Sequence, residues 1–166
     1  NYTIDGWGNV TVVEMEIVDN RTCRAVIPGQ AAGTVVSHRV EALDALVNVL
    51  AAEGSYSVKY PSSLNISLSN EKVYLGDNMT IRGYLNPEGG DIPIIVQFDC
   101  ANETRETVCY TLENGTFTVT FKPSVTGTWG VQARFDGDNY VYGSVSSQLL
   151  VKVEEQSLIV RYGPYI

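Results

Sequence analysis

Seven short runs between Leu64 and Val153 alternate apolar and polar side chains, and each closes at a turn signal. They cover residues 64–68, 78–85, 92–98, 107–112, 116–121, 128–135 and 147–153. Between them stand Asn86-Pro87-Glu88-Gly89-Gly90, Glu113-Asn114-Gly115, residues 123–127 and Asp136-Gly137-Asp138-Asn139. These supply the positive or fixed φ that chain reversals need. Phe117, Val119 and Phe121 alternate with Thr116, Thr118 and Thr120; Trp129, Val131, Ala133 and Phe135 alternate with Gly130, Gln132 and Arg134. A period of two with one polar face describes half-buried antiparallel strands. Seven of them at about ten-residue spacing predict an all-β sandwich.

The same stretch resembles the immunoglobulin-like repeats of bacterial and archaeal cell-surface proteins. The matching elements are Gly76-Asp77 before a strand, Gly115-Thr116-Phe117, Gly127-Thr128-Trp129, Phe135-Asp136-Gly137-Asp138-Asn139-Tyr140 and the serines 144, 146 and 147. The resemblance covers about half the chain and speaks for fold more than function, since such modules serve as spacers, lattice units, adhesins and enzyme appendages.

Residues 1–62 carry a second pattern. Runs at 2–4, 10–17, 22–27, 34–42 and 55–60 are separated by Asp5-Gly6-Trp7-Gly8, Asp19-Asn20 and Pro28-Gly29. Ala25-Val26-Ile27-Pro28-Gly29-Gln30-Ala31-Ala32-Gly33-Thr34-Val35 and Val40-Glu41-Ala42-Leu43-Asp44 with Asn48 resemble the second half of a prokaryotic fibronectin type III-like domain. Val47 stands where that family usually has glycine, and Cys23 where it has a core aromatic, which implies a buried thiol. Periodicity alone fits residues 38–53 to a helix, through Val40, Leu43, Leu46, Val47 and Leu50. The resemblance favours strand, turn and strand there, with at most a helical turn near 45–49.

The expected organisation is therefore tandem immunoglobulin-like sandwiches: a partial one over 1–62, a seven-stranded one over 63–155, and a further β run over 156–166. On the family pattern the first sandwich lacks its opening strands, so its core and edges stand open. Two explanations stay in play. The chain is a piece of a longer array, or Leu158, Val160 and Tyr162 of one copy fill the open core of the next as a donated strand. Head-to-tail donation propagates as a filament.

Asn-x-Ser/Thr occurs at Asn1, Asn9, Asn20, Asn65, Asn78, Asn102 and Asn114. Chance gives roughly two among the chain's asparagines, so N-linked glycans and an extracellular, cell-surface location are expected. Cys100 and Cys109 lie on consecutive runs and suit a hairpin disulfide in an oxidising compartment, if a bulge reconciles their opposite parity. The net charge of −8 disfavours nucleic acid and anionic membranes as partners. The apolar stretch 42–52 is too short to span a bilayer, and Asn1 begins inside a strand-like run with no signal peptide visible, so a processed or truncated product is expected.

Catalytic residue patterns are thin. His38, the one histidine, has Arg39 beside it and no nucleophile at a recognisable spacing. The acidic turn at 136–139 falls short of a calcium loop, and no metal or other cofactor is implied. The expected function is non-enzymatic: a glycosylated subunit or segment of a surface filament or layer, partnered by copies of itself or by neighbouring modules. The alternatives are an adhesin or carbohydrate-binding module, with Trp7 and Trp129 as stacking candidates, and an accessory domain of a secreted hydrolase.

Overall fold

A computed structural model describes residues 1–4, 7–43, 46–101 and 103–156. Every regular element in it is a strand, and no helix is long and apolar enough to cross a membrane. The chain divides into two compact units. The first comprises Asn1–Pro61 with Asn139–Val141; the second takes Ser62–Asp138 and the residues from Tyr142 onward.

The first unit is built on β1 (Tyr2–Thr3), β2 (Glu16–Ile17), β3 (Cys23–Arg24), β4 (Val35–Leu43) and β5 (Val49–Ser57). β4 and β5 form a nine-residue antiparallel hairpin from Val35↔Ser57 to Leu43↔Val49, and β1 joins β4 at Ser37 and His38. The stretch with helical spacing is therefore strand. Its turn contains Val47 at φ 63°, the left-handed conformation that glycine adopts most readily. β2 and β3 make a separate two-residue ribbon. The runs expected over 10–17 and 22–27 shrink to these short pieces, with one bridge from Thr11 to Tyr2, because the residues between find no partner strand. The strand expected over 55–60 lies earlier, at β5.

The second unit contains β6 (Ser63–Leu68), β7 (Lys72–Tyr74), β8 (Met79–Asn86), β9 (Pro93–Cys100), β10 (Glu103–Tyr110), β11 (Thr116–Phe121), β12 (Gly127–Gly137), β13 (Tyr142–Val145) and β14 (Leu149–Glu154). One sheet has the order β10-β9-β12-β14-β7, with β13 also on β12; the other is β11-β8-β6. β7 pairs parallel to β14 and every other pairing in the unit is antiparallel. The seven alternating runs are all strands here; β7 and β13, each too short to show alternation, are additional.

The two sheets face one another in a sandwich-like arrangement, and alternation decides what fills the space between them. Ile94, Val96 and Phe98 of β9, Trp129, Val131 and Ala133 of β12, and Met79, Ile81 and Leu85 of β8 are fully or almost fully buried. Phe98 stacks on Phe121 from the opposite sheet at 4.0 Å, and Trp129 tilts against Phe121 at 5.1 Å. The indole N–H of Trp129 donates to the Val125 carbonyl at 3.1 Å, so its burial strands no donor. Gly83 has a packing reason: a Cβ there would fall inside the Phe117 ring, which covers it from the neighbouring strand. Ser146 manages the exchange of β12 partners from β14 to β13. Its buried hydroxyl accepts from the Ala133 amide at 2.9 Å and donates to the Ser147 carbonyl at 3.0 Å.

Candidate functional site: an open groove in the first unit

The first unit does not close around a core. Tyr2, Thr3 and Val36 are its buried residues among those described, while Val12, Ile17 and Leu50 stand 71%, 77% and 77% exposed. A β-hairpin with two residues of a third strand and a detached ribbon has too little apolar surface to enclose. What it forms instead is a groove of about 610 Å³. The short β1 and residues 38–41 of β4 make one wall; Val12, Val13, Met15, Cys23, Ala25 and Ile27 make the other.

A free strand edge runs beside this groove. The Arg39 amide donates to the Asn1 carbonyl at 2.9 Å, and the Asn1 ammonium donates back to the Arg39 carbonyl at 3.0 Å. Backbone groups of alternate residues point to the same side of a strand, so Glu41 and Leu43 aim theirs the same way. Among the described residues no strand meets them, because β1 reaches only Ser37 and His38. An extended segment laid there continues the line of β1 and finds both main-chain partners and an apolar wall.

The polar groups near the groove are arranged for structure. Arg39 forms ion pairs with Glu41 at 2.8 Å and Glu53 at 3.6 Å, although the geometry at its Nε falls short of a hydrogen bond. His38 lies over Gly54, where a Cβ would come within 2.8 Å of its ring, and its buried Nδ1 has no hydrogen-bond partner. Among the described residues neither a nucleophile nor a carboxylate bonds that nitrogen. Among the described residues no three His, Cys, Asp or Glu side chains gather as a metal site, and Asp136 pairs with Arg134 at 3.3 Å.

The cysteine expectations need correction. Cys100 lies opposite Glu103 and Cys109 opposite Ile94, at the two ends of the β9–β10 hairpin. Six residues of strand put them roughly 20 Å apart along β10, far beyond disulfide reach. Both are free, Cys100 buried and Cys109 half-buried, with burial pushing the Cys109 thiol pKa up. Cys23, expected in a core, is exposed on the groove wall because this unit has no closed core to receive it.

Asn1, Asn9, Asn20, Asn65, Asn78 and Asn114 are all exposed. Asn114 has its carboxamide oxygen fixed by the Thr116 amide at 3.2 Å and hydroxyl at 2.7 Å. Asn102, and the donor residues Leu158, Val160 and Tyr162, lie outside the described residues. Trp7 is 40% exposed at a turn, whereas Trp129 is fully buried. Sequence reasoning missed the Glu41–Leu43 edge and the wall from Val12 to Met15. The exposed parity of a short strand becomes visible only once its partners are placed. Searches against models of known protein families and against curated proteins returned no match.

Proposed function

We propose that the chain is a non-enzymatic, N-glycosylated extracellular protein, a subunit or segment of a cell-surface filament or surface layer. Its units are read as immunoglobulin-like sandwiches of the kind found in archaeal surface glycoproteins. Copies join when residues 157–166 of one enter the first-unit groove of the next, with Leu158, Val160 and Tyr162 on the groove side. The observation that carries this reading is an apolar groove lying beside an unpaired strand edge within one chain. Alternation of apolar residues in the sequence from Leu158 to Tyr162 matches what such a groove accepts. The exposed sequons fit a surface bathed in solvent.

The adhesin reading is weaker. Of its two tryptophan candidates Trp129 is fully buried and only Trp7 is exposed; the other exposed rings among the described residues are tyrosines.

Electron microscopy of the native material tests the proposal. Fibres or sheets are expected in which the 157–166 segment of one copy lies along β4 of its neighbour, and Leu158→Asp with Val160→Asp is expected to abolish them. Monomeric particles, or polymers unaffected by the double substitution, would overturn strand donation.

A further inference from the structure

Alternation sorts the side chains of the smaller sheet in the second unit. Leu64, Met79, Ile81, Leu85 and Phe117 are buried, so Asn65 of β6, Arg82 and Tyr84 of β8, and Thr116, Thr118 and Thr120 of β11 point outward. Three sequons border this outward face: Asn65 within β6, Asn78 directly before β8 and Asn114 two residues before β11.

An aromatic ring stands among them. The pairing registers set Asn65, Tyr84 and Thr116 in one row across β6, β8 and β11. Directly opposite residues of this kind are about 5 Å apart at their Cβ atoms. The Tyr84 ring is half-buried and fixed at its tip, where the hydroxyl donates to Glu88 Oε1 at 2.9 Å. It leans toward β11: a Cβ on Gly115, the middle residue of the Asn114 sequon, would stand 3.3 Å from the ring's Cε2. Asn114 turns to the same row. Its Oδ1 accepts from the Thr116 amide at 3.2 Å and from the Thr116 hydroxyl at 2.7 Å. Both bonds fall on the oxygen, which leaves Nδ2, the atom that carries an N-linked sugar, directed away from them.

We propose that Tyr84 is the seat of the glycan on Asn114, the first sugar packing its C–H face on the phenol ring. The inference rests on the N-glycosylation read above, and adds where the sugar lies and what it does there. Sugar C–H groups carry slight positive charge and meet the negative face of the ring, while the sugar hydroxyls stay in water. Because the ring leans toward Gly115, the Asn114 sugar meets it and the Asn65 sugar, one strand away on the other side, does not. A glycan without a seat adds bulk and solubility. A seated one adds a contact between the β11 turn and the middle strand of the sheet, and so stabilises the second unit.

A double-mutant cycle on the full chain, produced with and without its glycans, tests this. Asn114→Gln removes the attachment atom; its effect in the unglycosylated chain gives the baseline for the turn itself. In the glycosylated chain Asn114→Gln is expected to lower the folding equilibrium constant roughly threefold to tenfold beyond that baseline, read from urea unfolding. The excess should vanish in Tyr84→Ala and persist in Tyr84→Phe, which keeps the ring and loses only the bond to Glu88. Nuclear Overhauser contacts between the Tyr84 ring and the Asn114-linked sugar are expected as well. Mass spectrometry of the native glycopeptides separates the modes of failure. An occupied Asn114 whose excess is absent, or unchanged by Tyr84→Ala, overturns the seat and leaves the glycoprotein reading intact. A bare Asn114 beside other occupied sequons also overturns the seat alone. Seven bare sequons overturn the glycoprotein reading, and the seat with it.

Discussion

The second unit encloses Trp129, Phe98 and Ile81 completely, whereas the first leaves Val12, Ile17 and Leu50 mostly in water. Both are made of strands, and both contain well-registered pairs: nine across β4 and β5, eight across β9 and β10. Main-chain pairing therefore does not separate them. What differs is the second layer. Each fully buried aliphatic or aromatic side chain is worth about 1.5–3 kcal/mol, and one hydrogen bond nets about 1 kcal/mol. A sheet with a facing sheet gains the first term many times over; a lone hairpin gains almost none of it. Among the described residues the first unit thus has its main-chain pairing in place and few buried side chains to stabilise it.

Thiol chemistry reads this difference most directly. Cys23, exposed in the first unit, is expected to react with a maleimide at once. Cys109 should lag, being half-buried with a raised thiol pKa that lowers its thiolate fraction. Cys100, buried at the end of β9, should react only through opening of the second unit, roughly a thousandfold or more slower than Cys23. Comparable rates for Cys23 and Cys100, measured by mass spectrometry of quenched samples, would erase the contrast.

Core truncation comes next in size. Trp129→Ala removes the largest buried side chain of the second unit and is expected to cost about 3–5 kcal/mol in denaturant unfolding. Val36→Ala in the first unit removes a side chain that is equally inaccessible but has few buried companions. About 1 kcal/mol is expected there. A similar loss from both would mean that the first unit is packed more like the second than its exposed residues indicate.

How much of this was legible beforehand follows from the same physics. Alternation is a signal that a strand writes when one face is buried against something. β9, β11 and β12 have that burial, and their positions, inward residues and the core role of Trp129 could be read directly. In β4 and β5 the partner layer is missing, so hydrophobicity is scattered over both faces and mimics helical spacing at Val40, Leu43, Leu46, Val47 and Leu50. Cys23 misled for the same reason: family position implied a core that this unit does not close. The Cys100–Cys109 pairing failed on register, which depends on where the β9–β10 turn falls. That turn is tight, with Glu103 directly opposite Cys100, and it carries Cys109 away down the hairpin.

Val47 offers a stabilising change within the weaker unit. A β-branched residue at φ 63° costs about 1–2 kcal/mol relative to glycine, and the side chain is 73% exposed, so little packing is forfeited. Val47→Gly is expected to stabilise the β4–β5 hairpin by about 1 kcal/mol, a figure that allows for the greater freedom of glycine in the unfolded chain. Slower hydrogen exchange at amides of β4 and β5 checks it; faster exchange would show that the turn draws on contacts of the Val47 side chain.

The smallest effect tests whether the second unit has its own first-unit-like element. β7 is three residues long, pairs parallel with β14, and is held at the surface by Glu154, which bonds both Lys72 and, at 2.7 Å, Lys152. Hydrogen bonds from those two ammonium groups hold the Glu154 pKa down to about 2, from an ordinary 4.5, and the bond to Glu154 raises that of Lys72. A carboxylate with a depressed folded pKa contributes its stabilisation above the unfolded value and loses it as pH falls through the folded one. The window is therefore about 4.5 down to about 2. The raised Lys72 acts in the opposite sense, contributing fully below its unfolded value of 10.5 and fading as pH climbs through the higher folded one. Between these limits the clip is intact. β7 is expected to loosen first on acidification, seen as shifts of the Val73 and Leu75 amide resonances while those of β9 and β12 stay fixed. Glu154→Gln should loosen β7 at neutral pH and flatten its acid response. If β7 holds through pH 2 in both forms, the buried Val73 and the Leu75 amide bond to the Glu154 carbonyl at 2.8 Å retain the strand without the ion pairs. Burial would then govern even the margin of the second unit.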